Sequence, residues 1–129
     1  MQKLTLIFAA VLLTGCATVK SWIPSFWDDN QSASIISVRA NIERLDCSQP
    51  QLPQAMAIKD QLTWFQLYSE SKGWRQADVL RVVAPMQETL DDFVKRSQDK
   101  QGSEAYCNIK KKILQTQAKT AAAAVLGRF

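Results

Sequence analysis

The chain has 129 residues, the length of one domain, and 47% of them are apolar and 22% charged, as in ordinary folded proteins. The net charge of +4 suits an anionic neighbour such as lipid or glycan, but it is too weak to indicate a nucleic-acid-binding protein. The sequence contains no histidine, which excludes Ser-His and Cys-His catalytic systems. We therefore expect no nucleic-acid partner, no cofactor and no metal site.

The N-terminal residues have the pattern of a secretory signal. Lys3 supplies a positive charge, and Leu4 to Leu13 form an uncharged apolar segment. That segment is about half the roughly 20 residues that a transmembrane helix needs. Leu13-Thr14-Gly15-Cys16 follows. This sequence resembles the lipobox of bacterial lipoproteins, in which the cysteine becomes the lipid-modified N-terminus of the mature protein.

The resemblance implies a lipoprotein signal peptide at residues 1–15 and an acylated Cys16, so outer-membrane lipid would be a partner through this residue. Several acyl chains on one residue hold a protein permanently on a membrane, whereas one chain does not. Ala17 follows the cysteine, where lipoproteins kept at the inner membrane often carry aspartate. The resemblance therefore implies an outer-membrane protein that faces the periplasm.

Residues 16–30 are expected to form a lipidated tether ahead of a helical domain at residues 31–129. The tether contains Trp22, Phe26 and Trp27. Aromatic side chains this close to an anchor can lie among the lipid headgroups, or they can fold back on the domain. The sequence leaves both arrangements open.

Apolar residues at steps of three and four predict four helices in the domain. Asp28-Asp29-Asn30 offers capping oxygens for the first of them. Pro85 lies inside the third and predicts a kink. The predicted helices run from Gln31 to Asp46, Gln54 to Lys72, Gln76 to Gln98 and Glu104 to Leu126.

The same period predicts which side chains of each helix face the core. In the first three helices these are Ile35, Val38, Ile42 and Leu45; Ala55, Ile58, Leu62, Phe65 and Ser69; and Val79, Val83, Met86, Leu90 and Phe93. Trp64 and Tyr68 are expected to widen the face of the second helix. In the fourth helix they are Tyr106, Ile109, Ile113, Thr116 or Gln117, Thr120 and Ala124.

No segment alternates with period two, so the class is all-α and the architecture is a small antiparallel bundle of about four helices. Apart from Cys16, the sequence contains Cys47 and Cys107, and two cysteines in an exported domain predict one disulfide. In an up-down-up-down bundle the end of the first helix and the start of the fourth lie at the same end. A Cys47–Cys107 bond therefore suits this topology.

Lys110, Lys111 and Lys112 form the densest charge run. We expect them to cover one outer face of the fourth helix, as a solvated surface or as a contact with membrane or a partner. Trp22, Phe26 and Trp27 are possible contacts as well, and so are Trp64 and Trp74 if they are exposed. Ser69 and Lys72 lie near the end of the second helix, where polar residues are expected. Asp91 and Asp92 lie four residues before Lys95 and Arg96, a spacing typical of ion pairs on a helix surface.

These features predict a non-catalytic interaction module held at the outer membrane, with an envelope or phage protein as its partner. By size and anchor the chain also resembles the outer-membrane subunits of phage spanins and the phage lipoproteins that block surface receptors. A phage lysis protein is therefore the alternative function. The sequence offers no convergent set of catalytic groups, and it leaves the oligomeric state open.

Overall fold

The structure, a computed structural model, describes residues 28–127. The expected signal peptide, Cys16 and the aromatic residues of the tether lie outside this range. The described residues form α1 (Asp29–Arg44), α2 (Gln51–Ser71), α3 (Ala77–Asp99) and α4 (Glu104–Leu126), with a 3-10 turn at Trp74–Gln76 between α2 and α3. The all-α prediction is confirmed. In this part of the chain no helix is long and apolar enough to cross a membrane.

Side-chain caps and a glycine set the helix ends. An Asp28 carboxylate oxygen accepts a hydrogen bond from the Gln31 amide at 3.0 Å, and the Ser103 hydroxyl accepts one from the Tyr106 amide at 3.1 Å. Gly73 follows α2 with a φ of 96°, a conformation that residues with a Cβ rarely adopt. α2 begins before Pro53 rather than after it, because the first-turn amides of a helix need no intrahelical partner.

α3 is one continuous helix through Pro85, so the proline does not split it. Proline has no backbone N–H to donate, and one intrahelical hydrogen bond is therefore missing at this position. The group that loses its donor is the Arg81 carbonyl, four residues earlier. The carbonyl of Pro85 itself accepts two side-chain hydrogen bonds, from the Thr89 hydroxyl at 3.0 Å and from the Gln117 amide at 3.2 Å. The second of these bonds links α3 to α4.

The hydrogen bonds and the disulfide show the up-down-up-down order. Gln31 at the start of α1 bonds Ser69 at the end of α2 and Gln76 just before α3, and we call this the Asp28 end. At the opposite, disulfide end, Cys47 after α1 is joined to Cys107 at the start of α4. Each helix packs against two neighbours, in the closed order α1, α2, α3, α4. The antiparallel bundle is therefore confirmed.

The predicted inner faces of α1, α2 and α3 form most of the core of the described chain. The side chains predicted to face inward on these three helices are buried, except Trp64 and Tyr68, which were expected to widen the α2 face and lie at its edge. The largest fully buried side chains include Phe65 of α2 and Phe93 of α3, with Ile35 and Ile42 of α1 packed in the same cluster. The helical period was sufficient here because the apolar side chains that enter the core recur at steps of three and four.

The predicted inner face of α4 is wrong by about one residue. The buried residues are Cys107, Leu114, Ala118, Ala121, Ala122 and Val125. Ile109 and Ile113, which the period placed in the core, point to solvent. The other three helices supply most of the bulky side chains of the core. To these α4 adds Leu114 and Val125. Its remaining buried residues are small, so it packs closely against its neighbours, and the Cys107 disulfide holds it there. Large side chains in place of these small residues would overfill the space.

Candidate interaction surfaces

The disulfide end is closed by covalent and polar contacts. Cys47 and Cys107 form the predicted disulfide, with their Cα atoms 5.6 Å apart. The Gln51 side-chain amide donates to the Gly102 carbonyl at 2.9 Å, which ties the start of α2 to the loop before α4. A Cβ at Gly102 would lie 2.5 Å from Cδ1 of Tyr106, so this close approach requires glycine. The loops at this end are therefore fixed relative to one another.

The three consecutive lysines do not form one basic face. Lys110 donates to an Asp92 carboxylate oxygen of α3 at 2.6 Å, and Lys111 donates to the Leu45 carbonyl at the end of α1 at 2.8 Å. Lys112 is exposed. Successive helical residues point about 100° apart, so a run of three reaches both neighbouring helices and solvent. Lys112 is the lysine of this run that a partner or a membrane can reach most directly.

The acidic pair of α3 is engaged in ion pairs. The hydrogen bond from Lys110 lowers the pKa of Asp92, and Arg96, whose Nε lies 3.2 Å from the same carboxylate, lowers it further. Asp91 pairs with Lys59 of α2 at 2.7 Å. Asp92 therefore forms the pair with Arg96 that the spacing predicts, whereas Asp91 pairs with Lys59 of α2 rather than with Lys95.

The Asp28 end carries a second polar cluster. Lys72 lies 2.7 Å from the Asp28 carboxylate, and the Tyr68 hydroxyl donates to the same carboxylate at 3.1 Å. Partial burial by itself raises the pKa of Asp28, but the hydrogen bonds from Lys72, the Gln31 amide and Tyr68 outweigh it and lower the pKa. The cluster joins the start of α1 to the end of α2.

Ser69 and Lys72 take part in separate contacts. The Ser69 hydroxyl is buried and accepts a hydrogen bond from the Gln31 side-chain amide at 2.9 Å. Lys72 is directed to Asp28, as described above. The Gln31 amide also donates to the Gln76 side-chain oxygen at 3.1 Å, which completes a buried polar network among three elements. The network holds the helix ends together.

A groove of about 420 Å³ lies between α1 and α2 near the Asp28 end. On the α1 side it is lined by the small residues Ala33, Ser34 and Ser37, and on the α2 side by Gln61 and Trp64. One face of the Trp64 ring stacks on Tyr68, with the ring centroids 5.1 Å apart and the planes at 5°. Trp64 is nevertheless 52% exposed. The groove is therefore an open site with an oriented aromatic wall.

The outer face of α4 carries exposed aliphatic side chains. Ile109 is 58% exposed and Ile113, one turn further on, is 40% exposed. Thr116 and Thr120 continue the exposed face without charge. A shallow depression of about 340 Å³ lies beside Ile113 and is bordered by Lys112. The sequence missed this surface because the two isoleucines were assigned to the core.

Both tryptophans that the sequence suggested as contact residues are exposed. Trp64 forms the wall of the groove, and Trp74 in the 3-10 turn is 82% exposed. The Arg75 guanidinium lies 5.2 Å from the centre of the Trp74 ring, within the range of a cation–π contact. Trp22, Phe26 and Trp27 lie outside the described residues, as does Cys16.

No protein-family model, curated protein or solved structure matches the chain. Within residues 28–127, no three or more Cys, Asp, Glu or His side chains are grouped so that they could hold a metal ion.

Proposed function

We propose that the protein is an outer-membrane-anchored periplasmic lipoprotein whose helical bundle acts as a non-catalytic interaction module. The lipobox-like sequence ending at Cys16 supports the anchor. Residues 17–28 would connect this anchor to α1, and fully extended they reach at most about 40 Å. The longest helices of the bundle have 23 residues, or about 35 Å. The module therefore acts close to its own membrane, and a partner must come to it.

The observation that carries the interaction role is the exposed aliphatic pair on α4. Single exposed apolar residues are normal on protein surfaces, so each isoleucine alone would indicate nothing. Ile109 and Ile113 lie one turn apart on one face, next to the uncharged Thr116 and beside Lys112. Such a surface suits a partner segment with apolar side chains and an acidic group opposite Lys112. We propose that the partner is an envelope or phage protein.

The anchor is tested by metabolic labelling with a radioactive fatty acid. The wild-type protein should take up the label and fractionate with the outer membrane. The Cys16→Ser variant should do neither, because the acyl chains attach to the cysteine. Unlabelled wild-type protein would contradict the lipoprotein assignment.

The partner surface is tested by photo-crosslinking in intact cells, with a benzophenone amino acid at Ile113 and a matched control at Met56 of α2. Met56 is 43% exposed, so both probes meet solvent to a similar extent. We expect a specific adduct from position 113 that the Ile109→Glu substitution abolishes. An inner-membrane coiled-coil protein in the adduct would identify the phage spanin alternative. Equal adducts from both positions, or turnover of peptidoglycan or an ester by the purified protein, would contradict the interaction role.

A further inference from the structure

The groove between α1 and α2 has the shape and the chemistry to bind aromatic side chains. Small residues on α1 stand opposite Trp64, and they leave a volume of about 420 Å³, within the range of ligand pockets in proteins. The Trp64 ring stacks on Tyr68, and the Trp64 side chain is still half-exposed, so a second ring can reach it. A preoriented ring of this kind favours a second aromatic ring against it.

The chain enters the bundle at one end of this groove. Asp28 is held on the α2 side by Tyr68 and Lys72. Asn30, two residues later, donates a hydrogen bond to the Tyr68 hydroxyl at 3.1 Å and also lines the groove. Asp28 and the first turn of α1 therefore lie beside the groove, and the groove is within reach of the chain that precedes Asp28.

We propose that this groove binds the aromatic segment Trp22–Trp27 of the same chain. From Trp22 to Asp28 the backbone reaches about 20 Å when extended. The groove follows α1 from Asn30 to Ser37, a rise of about 10 Å. The segment can therefore cover the groove without strain, and one of its rings can stack on Trp64.

The first turn of α1 gives an independent reason for this assignment. The residue before an N-cap often packs against an apolar residue at the fourth helical position, an arrangement known as a hydrophobic staple. Here Trp27 precedes the Asp28 cap, but the fourth position is Ser32, whose hydroxyl donates to the Asp28 carbonyl at 2.9 Å. The first turn of α1 therefore offers no apolar side chain to a residue at position 27, and the exposed Trp64 wall of the groove can take that place.

Charge favours the groove over lipid headgroups as the site of this segment. Trp27 is followed directly by Asp28 and Asp29. Two carboxylates next to the ring would be repelled by an anionic membrane surface. On the bundle, Asp28 already has Lys72 as its partner.

Docking would also set the distance between the bundle and its anchor. With the segment in the groove, residues 17–21 would be left to connect Cys16 to the body, a reach of about 17 Å instead of about 40 Å. This consequence for the distance rests on the proposed lipid anchor, whereas the docking itself does not.

The docking is tested by the rate at which chymotrypsin cleaves the purified full chain after Trp22, Phe26 and Trp27, followed by mass spectrometry. Ser37→Trp fills the groove, and Ala84→Trp is the matched control, because it adds the same ring to an exposed position of α3. We expect Ser37→Trp to accelerate these cleavages by at least about tenfold, since cleavage follows the population of the undocked form. Ala84→Trp should be cleaved as the wild type is.

Trp64→Ala provides a second variant that removes the wall instead of filling the groove, and it should also accelerate cleavage. Equal rates in the wild type, Ser37→Trp and Trp64→Ala would overturn the proposal. A second result would also overturn it: protection of the segment from chymotrypsin that appears only when anionic vesicles are added and that is the same in both variants. The segment would then bind lipid and not the groove. The cleavage assay does not depend on lipidation of Cys16. If the protein took up no fatty-acid label, the anchor would be contradicted but the cleavage rates would still test the docking, so the two failures can be told apart.

Discussion

Two adjacent residues of α4 test which of its faces is buried. Leu114 is fully buried in the core, whereas its neighbour Ile113 is 40% exposed on the outer face. The helical period of the sequence predicts the reverse arrangement, with Ile113 inside. Replacing each residue by alanine in turn removes a similar side-chain volume from the same turn of the same helix. Each variant is therefore the control for the other.

The expected losses of stability differ clearly. Leu114→Ala leaves a cavity in the core and should lower the free energy of unfolding by about 2–5 kcal/mol. Ile113→Ala removes a side chain that is partly in water already, and alanine is the better helix former, so its cost should stay below about 1 kcal/mol. With a urea m-value of about 2 kcal/mol per molar, a loss of 3 kcal/mol moves the unfolding midpoint by about 1.5 M.

The measurement is urea unfolding followed by far-ultraviolet circular dichroism, with the disulfide kept oxidised in all samples. The wild type and both variants should unfold with equal m-values, so that the midpoints compare stability alone. A larger midpoint shift for Ile113→Ala than for Leu114→Ala would refute the orientation of α4. It would also remove the exposed surface on which the proposed interaction depends.

Two further predictions concern the ends of the bundle. Replacing both Cys47 and Cys107 by alanine opens a crosslink between residues 60 apart in sequence and should cost about 4 kcal/mol. Peptide mapping without reductant should find the two peptides joined, and free thiols at both positions would refute the bond. The contacts of Asp28 lower its pKa in the folded protein. The carboxylate therefore stabilises the fold fully above the pKa of about 3.9 that it has in the unfolded chain, and this stabilisation is lost as the pH falls through the lower pKa of the folded protein. Asp28→Asn keeps a capping oxygen and should reduce this acid sensitivity. If its acid-unfolding curve were identical to that of the wild type, the stabilisation of the Asp28 carboxylate by Lys72 and Tyr68 would be contradicted.

The candidate sites were predictable to different degrees. The Cys47–Cys107 bond followed from the number of cysteines and the topology of four helices, and the structure confirms it. The three lysines do not cover one face of α4 as the sequence predicted. Lys110 and Lys111 donate to acceptors on α3 and at the end of α1, and these acceptors come close only in the folded bundle. The groove beside Trp64 depends on small α1 residues that lie opposite a ring from another helix, and no local pattern reveals such a pair.

The sequence by itself determined the all-α class, the four helices, the cap cluster that begins at Asp28, and most of the inner faces of α1, α2 and α3. These features depend on local spacing, which is visible along the chain. The tertiary structure alone decided the orientation of α4. This helix carries apolar residues on two adjoining faces, with Ile109 and Ile113 on one and Leu114 and Val125 on the other. The space left by Phe65 and Phe93 and the position of Cys107 therefore select the buried face. Ile109 and Ile113 are exposed for that reason.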